Sequence, residues 1–302
     1  MLRAFLILIS FFFITSLQAQ ENSRLTEEDK NSIKLIEDTL GVLAFTIVND
    51  SLAENRFAAV RKFIPTLVKA LKHDFSYDYS FERLQSISIQ NAPDNSFRIF
   101  TWQLYVDVNE YRYYGAIQMN DEKLKLFPLQ DRSFEINGNL EQLMLKPDRW
   151  YGSVYYNLKS VNVKGEPHYL LFGYDRNELF RKRKILDVLT FTEEGPVFGA
   201  PIIPLDTLGK NYKHRLILEY SAEAVVRLNF DEVYNMIVFD HLIPMNGKYD
   251  EGLVNVPDGS YEGFVITKNG LERIEKVFSE ISEEAPRPFP VLNTKRGDGN
   301  GN

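Results

Sequence analysis

A mainly β protein with an N-terminal antiparallel helix pair is the fold class the sequence predicts, as an antiparallel sandwich or a strongly curved sheet. Three observations predict it. Beyond Tyr77, large side chains recur at alternate positions through run after run, the signature of pleated backbone with a buried face. Most of the 13 prolines and 17 glycines stand between those runs, where they punctuate turns. Before Tyr77 the apolar spacing is instead three and four, which is the helical period.

Residues 1–19 read as a cleavable export signal. Arg3 supplies the positive charge, Ala4 to Ile14 is apolar apart from Ser10, and Ala19 offers a small residue for cleavage. The apolar stretch is shorter than the roughly 20 residues a bilayer span needs, so no transmembrane span is expected after cleavage. A retained signal anchor is the alternative.

The first expected helix runs over 26–48. Ile33, Ile36, Leu40, Leu43 and Ile47 share a face, Thr26 is placed to cap it, and Glu27, Glu28 and Asp29 oppose its dipole. Ser51-Leu52-Ala53-Glu54 has capping-box spacing and opens a second helix to Lys72. Its apolar face carries Phe57, Val60, Ile64, Leu67, Val68 and Leu71, and Pro65 is expected to kink it.

Strands follow. Residues 99–108 alternate large and polar side chains, and Asn109-Glu110 turns them into 111–119 as a hairpin. Further strands are expected at 152–163, 169–174, 184–192, 214–220, 224–230 and 233–239. Tyr169-Leu170-Leu171-Phe172 is apolar without interruption, which implies a strand buried on both faces. Asn269-Gly270 between apolar runs signals a hairpin, although Leu271, Ile274, Phe278 and Ile281 also fit a helix. The expected organisation is signal peptide 1–19, helix pair 20–75, β-rich domain 76–284 and disordered tail 285–302. A transmembrane barrel is the competing β fold; the helix pair, the unbroken apolar runs and the polar C-terminus weigh against it. Tyr113-Tyr114-Gly115-Ala116-Ile117 echoes Trp150-Tyr151-Gly152-Ser153-Val154 with no third copy, so no repeat array is expected.

Bulk composition narrows the function. A hydrophobic content of 44% and a charged content of 25% are those of an ordinary globular chain. The net charge of −7 makes nucleic acid an unsuitable partner. Cysteine is absent, which excludes disulfides, thiol catalysis and thiolate metal sites.

The motif search returns no catalytic signature. Asp240-His241 with Asp250, Asp258 and Glu262 offers imidazole and carboxylate ligands. Adjacent strand residues point to opposite faces, however, so a turn held by side-chain hydrogen bonds is expected unless a bulge intervenes. Ser153 and Ser260 both lack the second glycine of a nucleophile elbow. Asp175-Arg176-Asn177 begins like a calcium loop but continues with Leu179 and Phe180, so a strand-joining turn is expected. Arg181-Lys182-Arg183-Lys184 reads as protection of an edge strand. Arg296-Gly297-Asp298 and Asn49-Asp50-Ser51 are short enough to arise by chance.

Aromatic residues, at 13% of the chain, are the feature with most to offer. Tyr111, Tyr113, Tyr114, Trp150, Tyr151, Tyr155 and Tyr156 fall on neighbouring expected strands. Exposed, they form a stacking platform for a sugar or a partner's apolar surface. Buried, they are cross-strand pairs of a sheet core, and alternation puts some on each face. The first six are the candidate binding residues.

The ordered set Leu170-Leu171-Phe172-Gly173-Tyr174-Asp175, Ile185 to Phe191, Pro196 to Pro201, Phe239 to Pro244 and Val256 to Phe264 resembles an uncharacterised family of exported bacterial proteins. The resemblance spans residues 97–278. It implies export and a β-rich body, and it lends no catalytic residue. Periplasm, cell surface and extracellular medium are all compatible destinations. The expected function is a non-enzymatic binding or structural module of the cell envelope, with a protein or glycan as partner and no cofactor. A carboxylate-pair hydrolase such as a glycosidase is the alternative.

Overall fold

The computed structural model of the protein describes residues 24–248 and 252–277. The expected signal peptide and tail, with Arg296-Gly297-Asp298, lie outside the described residues, as does Asp250.

Helices α1 (Glu27–Asn49) and α2 (Ala53–Leu71) form the expected antiparallel pair. Thr26 caps α1, its Oγ1 accepting the Asp29 N–H at 3.1 Å. Ser51 does not cap α2. The turn at 50–52 is held instead by Asp50, whose Oδ1 accepts the Leu52 N–H at 2.8 Å. The buried Arg56 guanidinium donates to the Asp50 and Ser51 carbonyls at 2.6 and 3.0 Å. Buried charge thus replaces the capping box the spacing suggested.

Strands β1 (Ser88–Asn91), β2 (Phe97–Asp107), β3 (Glu110–Met119) and β4 (Leu126–Gln130) form an antiparallel meander in chain order. β5 (Val154–Val163), β6 (Glu166–Asp175) and β7 (Arg181–Thr192) form a second, with β8 (Gly195–Phe198) on the C-terminal part of β7. After a ribbon of β9 (Ile203–Pro204) and β10 (Tyr212–Lys213), β11 (Leu216–Ser221) pairs the N-terminal part of β7. β12 (Leu228–Asp231), β13 (Met236–Asn246), β14 (Leu253–Thr267) and β15 (Gly270–Ile274) make a third meander.

Several turns carry the backbone that tight hairpins demand. Lys164 and Gly165, between β5 and β6, both have positive φ, as a type I′ turn requires. The C-terminal hairpin closes at Thr267 opposite Gly270. Gly270 sits at φ +131°, which a side chain would strain.

The layers stack as helix pair, first sheet, second sheet, third sheet. Leu40, Phe63 and Leu67 of the helices pack on Phe100, Trp102 and Leu104 of the first sheet. The other face of that sheet, with Phe97, Ile99 and Ile117, meets Tyr155, Leu171 and Ile185 of the second. The far face of the second, with Leu170, Phe172 and Leu186, meets Phe230, Ile237 and Phe264 of the third. Two-sided burial is why residues 169–172 read as an unbroken apolar run.

The buried arginines of this interior are hydrogen-bonded. Arg215 donates through Nε to Asp187 Oδ1 at 3.1 Å, both side chains being essentially inaccessible. It also donates to the Leu143 and Phe198 carbonyls at 3.0 and 3.2 Å. Arg98, also buried, binds no carboxylate among the described residues. It donates to Gln118 Oε1 and the Ser76 carbonyl, both at 2.9 Å, and its guanidinium lies 5.0 Å from the centres of the Phe81 and Phe100 rings. Desolvation lowers its pKa to about 9, so it stays charged at neutral pH.

The two-residue strands β9 and β10 and three longer ones were not expected from the sequence. β1 is mostly polar, β4 carries Pro128 at its centre, and β8 begins Gly195-Pro196. The expected strand at 224–230 shrinks to β12. The basic run 181–184 does not protect an edge, because β7 lies between β6 and β11. Its charges are used internally: Arg183 pairs with Glu219 at 2.6 Å, and Lys184 Nζ sits 4.1 Å from the centre of the Tyr156 ring.

Leu170 and Leu171 are chain neighbours on opposite faces of β6, and both are fully buried. Replacing either with alanine is expected to lower stability by about 2–5 kcal/mol in a urea melt. If one of the two proves near neutral, β6 has a wet face and the layer order is wrong.

Candidate functional site

The helix pair rests mainly on β2, which leaves β3 and β4 only partly covered on the same face. A cleft of about 900 Å³ opens there beside α2. Ile64, Leu67 and Val68 of α2 make one wall, and residues 131–134 after β4 make the other. Trp102 and Tyr114 lie in its floor with their rings stacked, centroids 5.8 Å apart and planes 12° from parallel. Leu126 and Pro128 of β4 extend that floor. Phe134 stands on the rim, 78% exposed.

One end of the cleft is polar. β3 outruns β4 here, since β4 pairs only with 114–118. Asp131 closes the gap: Oδ2 accepts the Tyr113 N–H at 3.0 Å, and Oδ1 accepts the Ser133 N–H and hydroxyl at 3.0 and 2.7 Å. Gly152 is required beneath it, because a Cβ there would lie 2.6 Å from both Asp131 Cγ and Tyr113 Cβ.

Asp175 is the centre of the polar end. It accepts the Tyr113 hydroxyl at 2.8 Å, the Asn177 N–H at 2.8 Å and the Tyr151 hydroxyl. Tyr151 in turn accepts from Arg183 Nη1 at 2.9 Å. Burial raises the Asp175 carboxyl above its ordinary value, against the opposing pull of its hydrogen-bond donors. Burial and the neighbouring Asp175 charge push both phenols well above theirs. Tyr113 and Tyr151 therefore stay protonated and act as donors: Tyr113 of β3 binds the first sheet to Asp175 of the second, and Tyr151 binds the segment before β5 to the same carboxylate.

No known protein family, curated protein or solved structure matches the chain. The chemistry of the cleft accordingly rests on its own geometry. Among the described residues, no helix is long and apolar enough to cross a membrane.

The six candidate aromatics separate into two groups. Tyr111, Tyr113, Tyr114 and Tyr151 line the cleft. Trp150 and Tyr155 do not: both are fully buried between the first two sheets, with Trp150 Nε1 donating to the Tyr155 hydroxyl at 3.0 Å. They have no surface to offer a ligand, so they are core residues. Tyr156, half-buried, donates to the Leu228 carbonyl at 2.6 Å across the second interface.

Asp175 and Arg183 lay in segments read as a turn and an edge, and Phe134 carried no signal at all. Trp102 stood out only as a large residue in an alternating strand. Its Nε1 and the Asn177 Nδ2 are buried at the cleft lining without a hydrogen-bond partner among the described residues. An unmade bond of this kind costs about 1–3 kcal/mol; outside the cleft, Gln103 Oε1, Ser153 Oγ and His214 Nδ1 are likewise buried without a partner among the described residues.

The Asp240-His241 cluster is a hydrogen-bonded bulge. The β13–β14 register slips at His241, whose Nδ1 lies 2.9 Å from Asp258 Oδ2. Glu262 is engaged by Arg273. Among the described residues no group of three or more acids and imidazoles is placed to hold a metal ion. Ser153 is buried, and Ser260 donates to Asp258 Oδ1 at 2.7 Å within the same turn.

The Ser260 hydroxyl and N–H, with His241, hold Asp258 down to about 2. That lies below its value in the unfolded chain, so the ionised carboxylate contributes stability above about pH 4 that is lost as pH falls toward 2. Acid titration of unfolding is expected to show a shallower loss over that window in Asp258→Asn. A profile matching the parent protein would show that the bulge contributes nothing.

Proposed function

We propose that the protein is an exported, non-enzymatic binding module of the cell envelope whose cleft beside α2 holds its ligand. One observation carries this reading: an open cleft of about 900 Å³ joins an apolar, aromatic-floored half to a polar end. That size and mixed lining are those of small-molecule sites. The candidate aromatics Tyr111 and Tyr114, half-buried in its lining, supply part of the contact surface. The export signal and the resemblance to exported bacterial proteins support the envelope address.

The acids bordering the cleft favour binding over hydrolysis. A carboxylate pair needs one free acid and one free base. Asp131 and Asp175 are both occupied as acceptors by tyrosine, serine and backbone donors, and Glu110 pairs with Arg112 at 3.1 Å.

Thermal unfolding of the mature chain with soluble glycans, single-chain amphiphiles and short peptides tests the reading. A ligand at a hundred times its Kd adds about 2.7 kcal/mol of stability. At least one class is expected to raise Tm, and Phe134→Asp on the exposed rim is expected to remove the gain. If no class shifts Tm, or the shift survives the rim substitution, the cleft is not the binding site.

A further inference from the structure

We infer that the ligand is a single-chain amphiphile, an acyl chain carrying an oxygen-bearing head such as a carboxylate or ester. This deepens the binding reading above and rests on it.

The apolar half has the chemistry of a hydrocarbon track. Ile64 and Val68 face Leu126, Pro128 and Phe134 across the cleft, and Ile64 and Phe134 keep 39% and 78% of their surface exposed to water. Covering aliphatic side chains with an alkyl chain removes that apolar surface from solvent. A sugar gains less here. Carbohydrate recognition wants an open aromatic face, yet the Trp102 ring is flanked by Tyr114, stacked at 5.8 Å, and by the edge of Phe63 at 5.1 Å.

The polar inventory points to the head group. The charged side chains lining the cleft are already engaged within the protein. Glu110 holds Arg112, Glu135 holds Arg132, Glu219 holds Arg183, and Asp131 and Asp175 accept from tyrosine, serine and backbone donors. Among the described residues lining the cleft, what remains unmatched is donor capacity alone: the Trp102 Nε1–H, on a side chain 3% exposed, and the Asn177 Nδ2–H. Two buried donors without acceptors call for oxygen lone pairs on the ligand. Acceptor oxygens on the head of an amphiphile supply such lone pairs.

Calorimetry with the mature chain decides the matter, using dodecanoate below its micellar concentration, cellohexaose, and vesicles of phosphatidylglycerol. Dodecanoate is expected to bind at one site. Ile64→Glu, at a solvent-exposed helix position, puts a carboxylate on the hydrocarbon track and is expected to weaken binding at least tenfold. Trp102→Phe keeps a ring and deletes the N–H, with an expected loss of roughly three- to tenfold. Each variant's melting curve confirms that it is folded. Binding of cellohexaose but not dodecanoate, sensitive to Phe134→Asp, would overturn the amphiphile class and leave the binding reading standing. Binding to vesicles but not to monomeric dodecanoate would overturn it in favour of a bilayer surface. If no probe binds, both readings fall.

Discussion

The second sheet is dry on both faces, and the rest of the architecture follows from that. A sheet exposed on one side can scatter polar residues across its wet face, whereas an interior sheet must be apolar on both sides or satisfy each polar group internally. β6 meets the demand with Tyr169 and Leu171 toward one neighbour and Leu170 and Phe172 toward the other. β7 meets it with the buried Asp187 bound to Arg215. Removing either partner would strand a charge, an outcome far costlier than the pair itself is stabilising.

Stacking also decides where the cleft can be. The first sheet has one face committed to the second sheet, so any recess must lie on its outer face or along its edge. The helix pair settles on β2 and leaves β3 and β4 only partly covered beside α2. The polar end forms where β3 outruns β4 and the second sheet delivers Asp175 and Arg183 to the gap. Tyr113, a donor locked by burial, couples the two sheets there, and Tyr151 ties the segment before β5 to the same carboxylate. Shape at the polar end therefore depends on sheet-to-sheet packing, while shape at the apolar end depends on the seating of α2.

Much of this fold was legible in the sequence because it is built from local rules. Alternation located β2, β3 and β7, the apolar run in β6 announced two-sided burial, and Thr26 with its acidic neighbours marked the start of α1. Three successive meanders need no repeated sequence, only alternation and turns, which is why no repeat was visible. β1, β4 and β8 were hidden because short strands paired to stronger neighbours need little propensity of their own. Ser51 had the spacing of a cap but lost the role to Asp50 and Arg56. The cleft was less legible. Which face of an aromatic strand is covered depends on distant elements, so Tyr114 and Trp150 looked alike in sequence and ended on the cleft floor and in the core. Asp175 and Arg183 reach the site through pairing of β6 with β7, which spacing along the chain does not encode.

Amide hydrogen exchange followed residue by residue tests the layered arrangement most directly. With β6 and β7 flanked by sheets on both faces, the amides of residues 170–172 and 185–188 should exchange slowest, opening only with global unfolding. Exchange at those amides as fast as in the outer strands β12 and β15 would contradict the arrangement, because it would place water against a face that the stack requires to be dry.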